Sequence, residues 1–535
     1  IGTMRRVFEK SLRSELYPDI VGDYELISMI LESPKVSQGE DKEPIYKQVS
    51  LDLVYTNFSI YEDLFSNCLS GTLSILDANH IAADFPIIGE ESLQVCWRSL
   101  DTKVAIELRF RVTGISPIER VNDNTVVYTL QLISEVAIQS EKQKISKSFP
   151  KGRLSDVVSF LCEKKLNLVD ENKVEYVQRG DFYIKDKSVK NNYFLIETDS
   201  AHIEKYIAPS LSPFRVINKL CKRNISPTGS LFFFFQDINR FRFVSLEDLF
   251  KKRNRSEPIK RIVYIPKDAQ PDLKNTREHS WSIVYDYKIV KRFDIFKNMH
   301  RGMYSSEVSF LDIEKRKFNT NSYYYQEDSK NSYHINNSGY LLTTEYSDIL
   351  HELGNEAAST VNELVPYHTG DRESRDYSDQ RTNMYQRRMS MQAQLDALVI
   401  QVEMAGDTSG RITIGDLIYF HVPRMQRLEG DLYLTGNYLV TKIHHQVSNS
   451  EKYKMTIEMI SDTLNVGYKI NPDRNDEDDN ISIQVKPKDV TLGKDQDIVH
   501  TSILSSEIID NYNKKTRERK MFQQIITGKN VKINV

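Results

Sequence analysis

Tyr128-Thr129-Leu130-Gln131-Leu132-Ile133-Ser134 and Met455-Thr456-Ile457-Glu458-Met459-Ile460-Ser461 are one pattern written twice. From the threonine on, each reads Thr, aliphatic, Gln or Glu, Leu or Met, Ile, Ser. Val112-Thr113-Gly114-Ile115 lies upstream of the first copy, and Val440-Thr441-Lys442-Ile443 lies upstream of the second. The gap between threonines is 16 residues in one case (113 to 129) and 15 in the other (441 to 456). Farther upstream, Ile88-Gly89-Glu90 corresponds to Ile414-Gly415-Asp416. Three anchors in one order predict a single β-domain fold used twice in the chain.

The flanking residues support strands. In Lys103 to Val112, alternation places Val104, Ile106, Leu108, Phe110 and Val112 on one face, with Glu107, Arg109 and Arg111 opposite. Asn122-Asp123-Asn124 is a turn cluster, followed by a strand from Val126 to Glu135. Strands joined by short polar turns indicate a compact antiparallel barrel or sandwich over 47–140. The second copy is expected over about 395–465, with strands Leu398 to Met404, Asp416 to Val422, Tyr438 to His445 and Tyr453 to Ile460. Gly406-Asp407-Thr408-Ser409-Gly410 supplies a turn.

Between the copies the pattern changes. Leu154, Val157, Val158 and Leu161 define a helix face after Lys142, Lys144, Lys147 and Lys151, which read as a solvated face. Ser212 is placed as an N-cap and Pro213 at the first helical position. Leu231-Phe232-Phe233-Phe234-Phe235 reads as a buried strand, with Phe241 to Val244 as its hairpin partner across Asp237-Ile238-Asn239. Four consecutive phenylalanines cannot share one face, so both faces of that strand must be covered. Residues 251–370 read as an α+β insertion, including the apolar stretch Trp281 to Val290. Asp371 to Asp376 marks a boundary, and Asn383 to Leu395 a helix with Met384, Arg388, Met391 and Leu395 along one side. The division is then 1–46, an N-terminal extension with a helix-like stretch from Met4 to Leu16 and a linker from Ser37 to Glu43; 47–140, the first β-barrel; 141–370, a middle α+β region; 371–465, a helix and the second barrel; and 466–535, a C-terminal extension. That last segment carries an acidic loop, Asn475 to Asp479, and a helix-like run from Ile503 to Gln524. The fold class is α+β and β-rich, two similar antiparallel β-barrel domains flanking an α+β middle region, with terminal extensions.

The chain has 535 residues, 39% hydrophobic and 27% charged, which suits several separately packed cores. A net charge of −3 provides no global drive toward nucleic acid or an anionic membrane. Cys68, Cys96, Cys162 and Cys221 have no metal-ligand spacing and read as reduced core residues. No stretch approaches the roughly 20 apolar residues of a membrane helix, and no secretory signal is visible. His421, His444 and His445 are close in sequence, but adjacent strand residues face opposite ways, so they read as strand histidines with local hydrogen bonds. The acidic loop lacks the glycine and terminal glutamate of an EF-hand. No GxSxG, HExxH, Walker or GxGxxG pattern occurs. The expectation is a chain that is not an enzyme, with no catalytic, cofactor-binding or metal-binding residues.

Several segments carry a family resemblance. Ser70 to Asp77 followed by Phe85-Pro86-Ile87-Ile88-Gly89-Glu90-Glu91 resembles the first tube domain of baseplate hub proteins of contractile-tailed bacteriophages. Ser212-Pro213-Phe214, Phe232 to Phe235, Phe243-Val244-Ser245-Leu246-Glu247 and Gly302 to Ser306 resemble further segments of that family. Ile414-Gly415-Asp416 with Leu434 to Val440 resembles its second tube domain. The matches span about 50 to 465. The resemblance implies a homotrimeric tail tube–spike adaptor in the virion baseplate, assembled in the host cytoplasm. Three chains with two tube domains each would present quasi-six-fold symmetry to a hexameric tail tube and three-fold symmetry to a trimeric central spike. It further implies wedge and tape measure proteins as neighbours, a lumen that DNA crosses and that is lined by acidic or neutral residues, and no membrane insertion. Nothing after residue 470 repeats as a β-helix, so the spike is expected on a separate polypeptide. The alternatives are a tail-associated peptidoglycan hydrolase with an unrecognised site in 251–370, and a host-binding adhesin with exposed β-domains.

Overall fold

Both copies of the repeat fold as six-stranded units with the same strand order, although the first strand of the second unit runs parallel to both its neighbours. The computed structural model describes residues 22–33, 48–171, 176–179, 182–185, 193–226, 231–251, 259–266, 281–312, 317–325, 333–336, 360–363, 375–423 and 431–463, except for positions 86, 101, 103, 202, 293, 396, 432, 433, 450 and 451. The helix-like stretches Met4 to Leu16 and Ile503 to Gln524, the linker Ser37 to Glu43 and the acidic loop Asn475 to Asp479 lie outside the described residues.

The first unit contains β1 (Tyr24–Glu32), β2 (Gln48–Ser50), β3 (Tyr55–Asp63), β4 (Ser70–Asp77), α1 (Ile81–Asp84), β5 (Ser92–Ser99), β6 (Ala105–Ile115), β7 (Glu119–Asn122) and β8 (Thr125–Ser134). Its six main strands run β1-β5-β6-β8-β4-β3, all neighbours antiparallel. β2 pairs with β1 and leads directly into β3, bringing the two ends of the sheet together. The expected face of β6 is partly buried. Ile106, Phe110 and Val112 enter the core, and Leu108 packs against it, but Val104 stays exposed just outside the strand. β1 lies within the 1–46 interval assigned to an extension, so that boundary cuts through the unit.

The second unit is a closed barrel. Its strands are β17 (Lys260–Tyr264), β18 (Ile283–Arg292), β22 (Leu398–Ala405), β23 (Leu417–His421), β24 (Gly436–Ser448) and β25 (Lys454–Ser461). They run β17-β23-β24-β25-β22-β18, and β17 pairs back onto β18. The four strands expected after 395 are present, but they do not close by themselves. β17 and β18 come from the interval 141–370, so the apolar stretch Trp281 to Val290 is barrel wall and not insertion. The sequence showed only an apolar stretch there; that it is a strand of this barrel is decided by its pairing with β17 and β22.

The equivalence of the units reaches single residues. In β6–β8 the register shifts between Val112 and Gly114, and in β24–β25 between Val440 and Lys442. A one-residue β-bulge therefore sits at Thr113 and again at Thr441. A second matched pair of shifts falls between Tyr55 and Asn57 in β3 and between Val284 and Asp286 in β18. The alignment of Glu90 with Asp416 moves by one residue: Val112 N donates to Glu91 O as Val440 N donates to Asp416 O. Glu91 then holds the N–H groups of Ile88 and Gly89, and Asp416 that of Thr413.

The middle region holds α2 (Glu135–Glu141), β9 (Ile145–Arg153), α3 (Leu154–Lys164), β10 (Val169–Asp170), β11 (Tyr176–Arg179), β12 (Phe182–Lys185), β13 (Tyr193–Ile196), β14 (Ile203–Leu211), α4 (Pro213–Arg223), β15 (Phe232–Gln236), β16 (Arg240–Ser245) and α5 (Leu246–Lys251). Strands β10-β13-β16-β15 form one sheet. The predicted face of α3 is buried at Leu154, Val157, Val158 and Leu161, and the four lysines before it are exposed, Lys147 lying 4.1 Å from the Phe160 ring centroid. Ser212 does precede α4, but its hydroxyl donates to Glu141 Oε1 (2.9 Å) rather than capping the helix. The first turn is held instead by Ser140 Oγ, which accepts from Phe214 N (3.0 Å).

Beyond β18 lie α6 (Ile295–His300), a small sheet of β19 (Ser305–Asp312), β20 (Lys317–Tyr324) and β21 (Thr360–Glu363), and α7 (Arg375–Gln394). Met391 and Leu395 are buried as expected, whereas Arg388 reaches back to the Asn224 carbonyl at the end of α4 (3.2 Å).

Gly406, at the end of β22, shows how tightly the barrel packs. Its N–H donates to Tyr453 O (2.9 Å), and a Cβ there would lie 2.1 Å from the Tyr453 ring. Gly406→Ala is expected to destabilise the protein by about 3 kcal/mol or more, read as a lowered urea midpoint; an unchanged midpoint would show that Tyr453 can retreat.

Candidate functional site at the barrel joint

The two units share an edge. β3 pairs antiparallel with the second half of β24, from Lys442 opposite Asp63 to Ser448 opposite Asn57. The first half of β24 pairs with β23. The strand changes neighbour where the Thr441 bulge lies, because a bulge bends its strand and sharpens the local twist. One fourteen-stranded sheet and one apolar core result, the core running from Leu31, Phe58, Trp97 and Phe110 to Val402, Phe420, Ile443 and Ile457. Trp97 meets Tyr453 edge-on across the joint, with ring centroids 6.4 Å apart. At one end Ser99 and Thr408 exchange two 2.9 Å bonds, backbone N–H to hydroxyl in each direction. Thr408 belongs to the Gly406 to Gly410 turn, which therefore ties the second barrel to the first.

A buried polar network lies inside this joint. His445 Nε2 contacts Glu62 Oε1 at 2.6 Å, and His445 Nδ1 contacts the Tyr453 hydroxyl at 2.8 Å. With its proton on Nε2, the ring donates to Glu62 and accepts from Tyr453. Glu62 Oε2 accepts from Ile238 N (3.0 Å), in the turn between β15 and β16. Asp237 Oδ1 in the same turn accepts from Asn239 N and Arg240 N (2.7 Å each). Arg242, fully buried on β16, pairs with Glu197, donates to Ile414 O at 2.8 Å and lies 4.0 Å from Asp237. Gly415 fits beside it with φ +81, and a Cβ there would sit 3.3 Å from Arg242 Nη1.

Burial raises the Asp237 carboxyl to about 6; Arg242 works against that shift and Glu62 adds to it. The network thus joins Glu62 of the first barrel, His445, Tyr453 and Ile414 of the second, and Asp237 and Arg242 of the middle region.

The phenylalanine run explains how the middle region reaches the joint. Phe232 and Phe234 face the core of α3 and α4, with Phe241 and Phe243. Phe233 and Phe235 face the barrel core, together with Val244. Both faces are covered, as the sequence required, and Arg242 stands opposite Phe235 on the barrel side, with its guanidinium 5.2 Å from that ring's centroid.

The three histidines separate. His445 is buried in the network, whereas His444 turns the other way and stacks on Tyr61 at 4.5 Å. Burial, then His445, lowers its pKa. His421 lacks the expected local hydrogen bond: it is buried, and neither ring nitrogen has a partner among the described residues. Burial, followed by Arg261, pushes it down to about 4. Among the described residues no three His, Cys, Asp or Glu side chains group as a metal site, and no helix is long and apolar enough to cross a membrane. Glu62, Asp237 and Arg242 were not singled out from sequence. The available signal was an arginine inside the otherwise apolar Phe241-Arg242-Phe243-Val244, since a buried charge needs a partner.

Comparison with known proteins yields structures rather than sequences. No protein-family model matches the chain, and no curated protein matches it. The solved structures it resembles include phage tail proteins. The 43 kDa tail protein of prophage MuSo2 from Shewanella oneidensis is 10% identical with a TM-score of 0.45, covering 82% of this chain and 99% of that one. The tail protein from Neisseria meningitidis MC58 is 8% identical with a TM-score of 0.45, covering 82% and 97%. The E. coli c3393 protein, a component of the type VI secretion system, is 9% identical with a TM-score of 0.36, covering 78% and 76%.

Arg242→Met is expected to cost about 3–5 kcal/mol, since it strips the guanidinium from buried carboxylates; a chemical-denaturation loss below 1 kcal/mol would show that the network is peripheral. The Asp237 pKa lies above its ordinary 3.8, so its contribution is fully present below that value and is lost as pH rises through about 6. Stability of the wild type relative to Asp237→Asn should therefore fall by on the order of 2 kcal/mol between about pH 4 and pH 7. A constant difference across urea melts at those pH values would contradict the raised value.

Proposed function

We propose that the chain is a structural protein of a contractile tail, a baseplate hub whose duplicated barrels assemble into a ring between tail tube and central spike. The observation that carries this reading is the joint itself. Two barrels of one design, with matched bulges at Thr113 and Thr441, are fused edge to edge through β3 and β24. A unit that can pair laterally with another of its kind has the interface a closed ring needs. The family resemblance of Ser70 to Glu91, Ser212 to Glu247 and Leu434 to Val440 assigns the ring its setting.

In this reading three chains form a homotrimer with six barrels around a lumen that continues the tube through which DNA passes. The tail tube protein binds one face, the central spike binds the other, and wedge proteins bind the periphery. The site is in the virion baseplate. The chain's role is to hold geometry and match symmetry, with no chemical step assigned to any residue.

Native mass spectrometry and electron microscopy of the full chain test this. Three chains per particle and six similar lobes around a central opening are expected. A strictly monomeric protein, or a closed particle with a chain number other than three, would overturn the reading.

A further inference from the structure

The internal joint uses only half of the edges that the duplication creates. β3 of the first barrel is equivalent to β18 of the second, because Phe58 pairs with Leu73 as Tyr287 pairs with Val402. β24 of the second barrel is equivalent to the line formed by β6 and β7, because Ile115 pairs with Leu130 as Ile443 pairs with Ile457. Within the chain β24 lies against β3. The counterpart edges, β6–β7 beyond Val112 and β18 from Asp286 to Val290, pair with no second strand among the described residues.

Equivalent side chains record the difference. Ile60 and Ile443, inside the joint, are 0% and 1% exposed; their counterparts Ile289 and Ile115 are each 39% exposed. Ile118, Val121 and Val290 are also exposed along the same two edges. An open strand edge carrying aliphatic side chains is a template for pairing with another chain.

We propose that successive copies of this chain are joined by pairing of the β6–β7 edge of one copy with the β18 edge of the next, in the register that β24 and β3 use internally. This rests on the ring reading above and names the surface that closes it. His445 opposite Ile60 sets the centre of this register, and Ile289 of the next copy takes the place of Ile60. Gln446 opposite Ser59 translates into Glu119 opposite Lys288, since Glu119 pairs with Val127 as Gln446 pairs with Lys454. One extra residue between Ile115 and Glu119 is taken up around Pro117, which has no N–H to offer a ladder. Arg120 then falls opposite Tyr287, and Glu119–Lys288 is the opposite-charge pair that the register places across the contact. The contact is heterologous: each copy offers one edge and receives another, as a closed ring requires.

The test uses the full chain in two formats. A short thiol-bridging reagent should link Glu119→Cys/Lys288→Cys chains into a ladder ending at the closed ring, with no ladder from either single variant or the wild type. Independently, Lys288→Glu or Glu119→Lys should weaken association roughly tenfold, and the double reversal should restore it, read by sedimentation across a dilution series. Trimers that neither cross-link nor respond to charge reversal would overturn this pairing and leave the ring reading standing. Absence of any oligomer in the wild type would overturn the ring reading itself.

Discussion

The pairing of β24 with β3 is the constraint on which the rest of this structure depends. Without it the chain holds two barrels, each with an open edge and a separate core. With it the backbone groups of both edges are satisfied, and the aromatic residues Phe58, Trp97 and Tyr453 pack as one continuous cluster. Because the joint is buried, polar groups inside it must answer one another. Glu62 and His445 do so, and the Asp237-Ile238 turn completes the network by donating the Ile238 N–H to the free oxygen of Glu62. Such a buried ionic cluster adds little to stability compared with apolar packing, but it penalises any alternative arrangement that would leave a charge alone. It selects one relative placement of the three parts.

The bulge at Thr441 makes the joint geometrically available. β23 begins at Leu417, opposite Leu439, so the rest of β24 needs another partner. With the bulge, β24 pairs with β23 only as far as Leu439 and turns its remaining edge to β3 from Lys442 onward. The equivalent bulge at Thr113 bends β6 away from β5 in the same manner, and there it leaves an edge exposed. One local irregularity, used twice, yields a covered edge in one barrel and an uncovered edge in the other. Apolar exposure follows this asymmetry, buried at Ile60 and Ile443 and exposed at Ile289 and Ile115. This asymmetry is what the proposed pairing between copies would cover.

The middle region is a brace rather than a separate lobe. Its β15–β16 hairpin presents alternate residues to two cores, Phe232 and Phe234 to one and Phe233 and Phe235 to the other. Rotation of the hairpin would pull large aromatic side chains out of both cores at once, so the arrangement is rigid by construction. Arg242 extends this hold to the second barrel through Ile414 O, on the loop whose Gly415 adopts a left-handed conformation.

Much of this was legible in the chain itself. Alternation and the recurrence of Thr129 to Ser134 at Thr456 to Ser461 specified strands and their duplication, because side-chain period and turn chemistry are local properties. The phenylalanine run required a strand covered on both faces for the same reason. Partners distant in sequence were another matter. β17 and β18 lay in an interval read as an insertion, and nothing local in them named the barrel they complete. Ser212 had the chemistry of a helix cap, yet Glu141, brought near by folding, offered its hydroxyl a charged acceptor. His445 and Glu62 are separated by 383 positions, and no spacing rule connects them. The sequence by itself determined what each segment is; only the tertiary structure decided which edges meet, because register between remote strands is set by the shared core they bury together and by the charges that core will not tolerate unpaired.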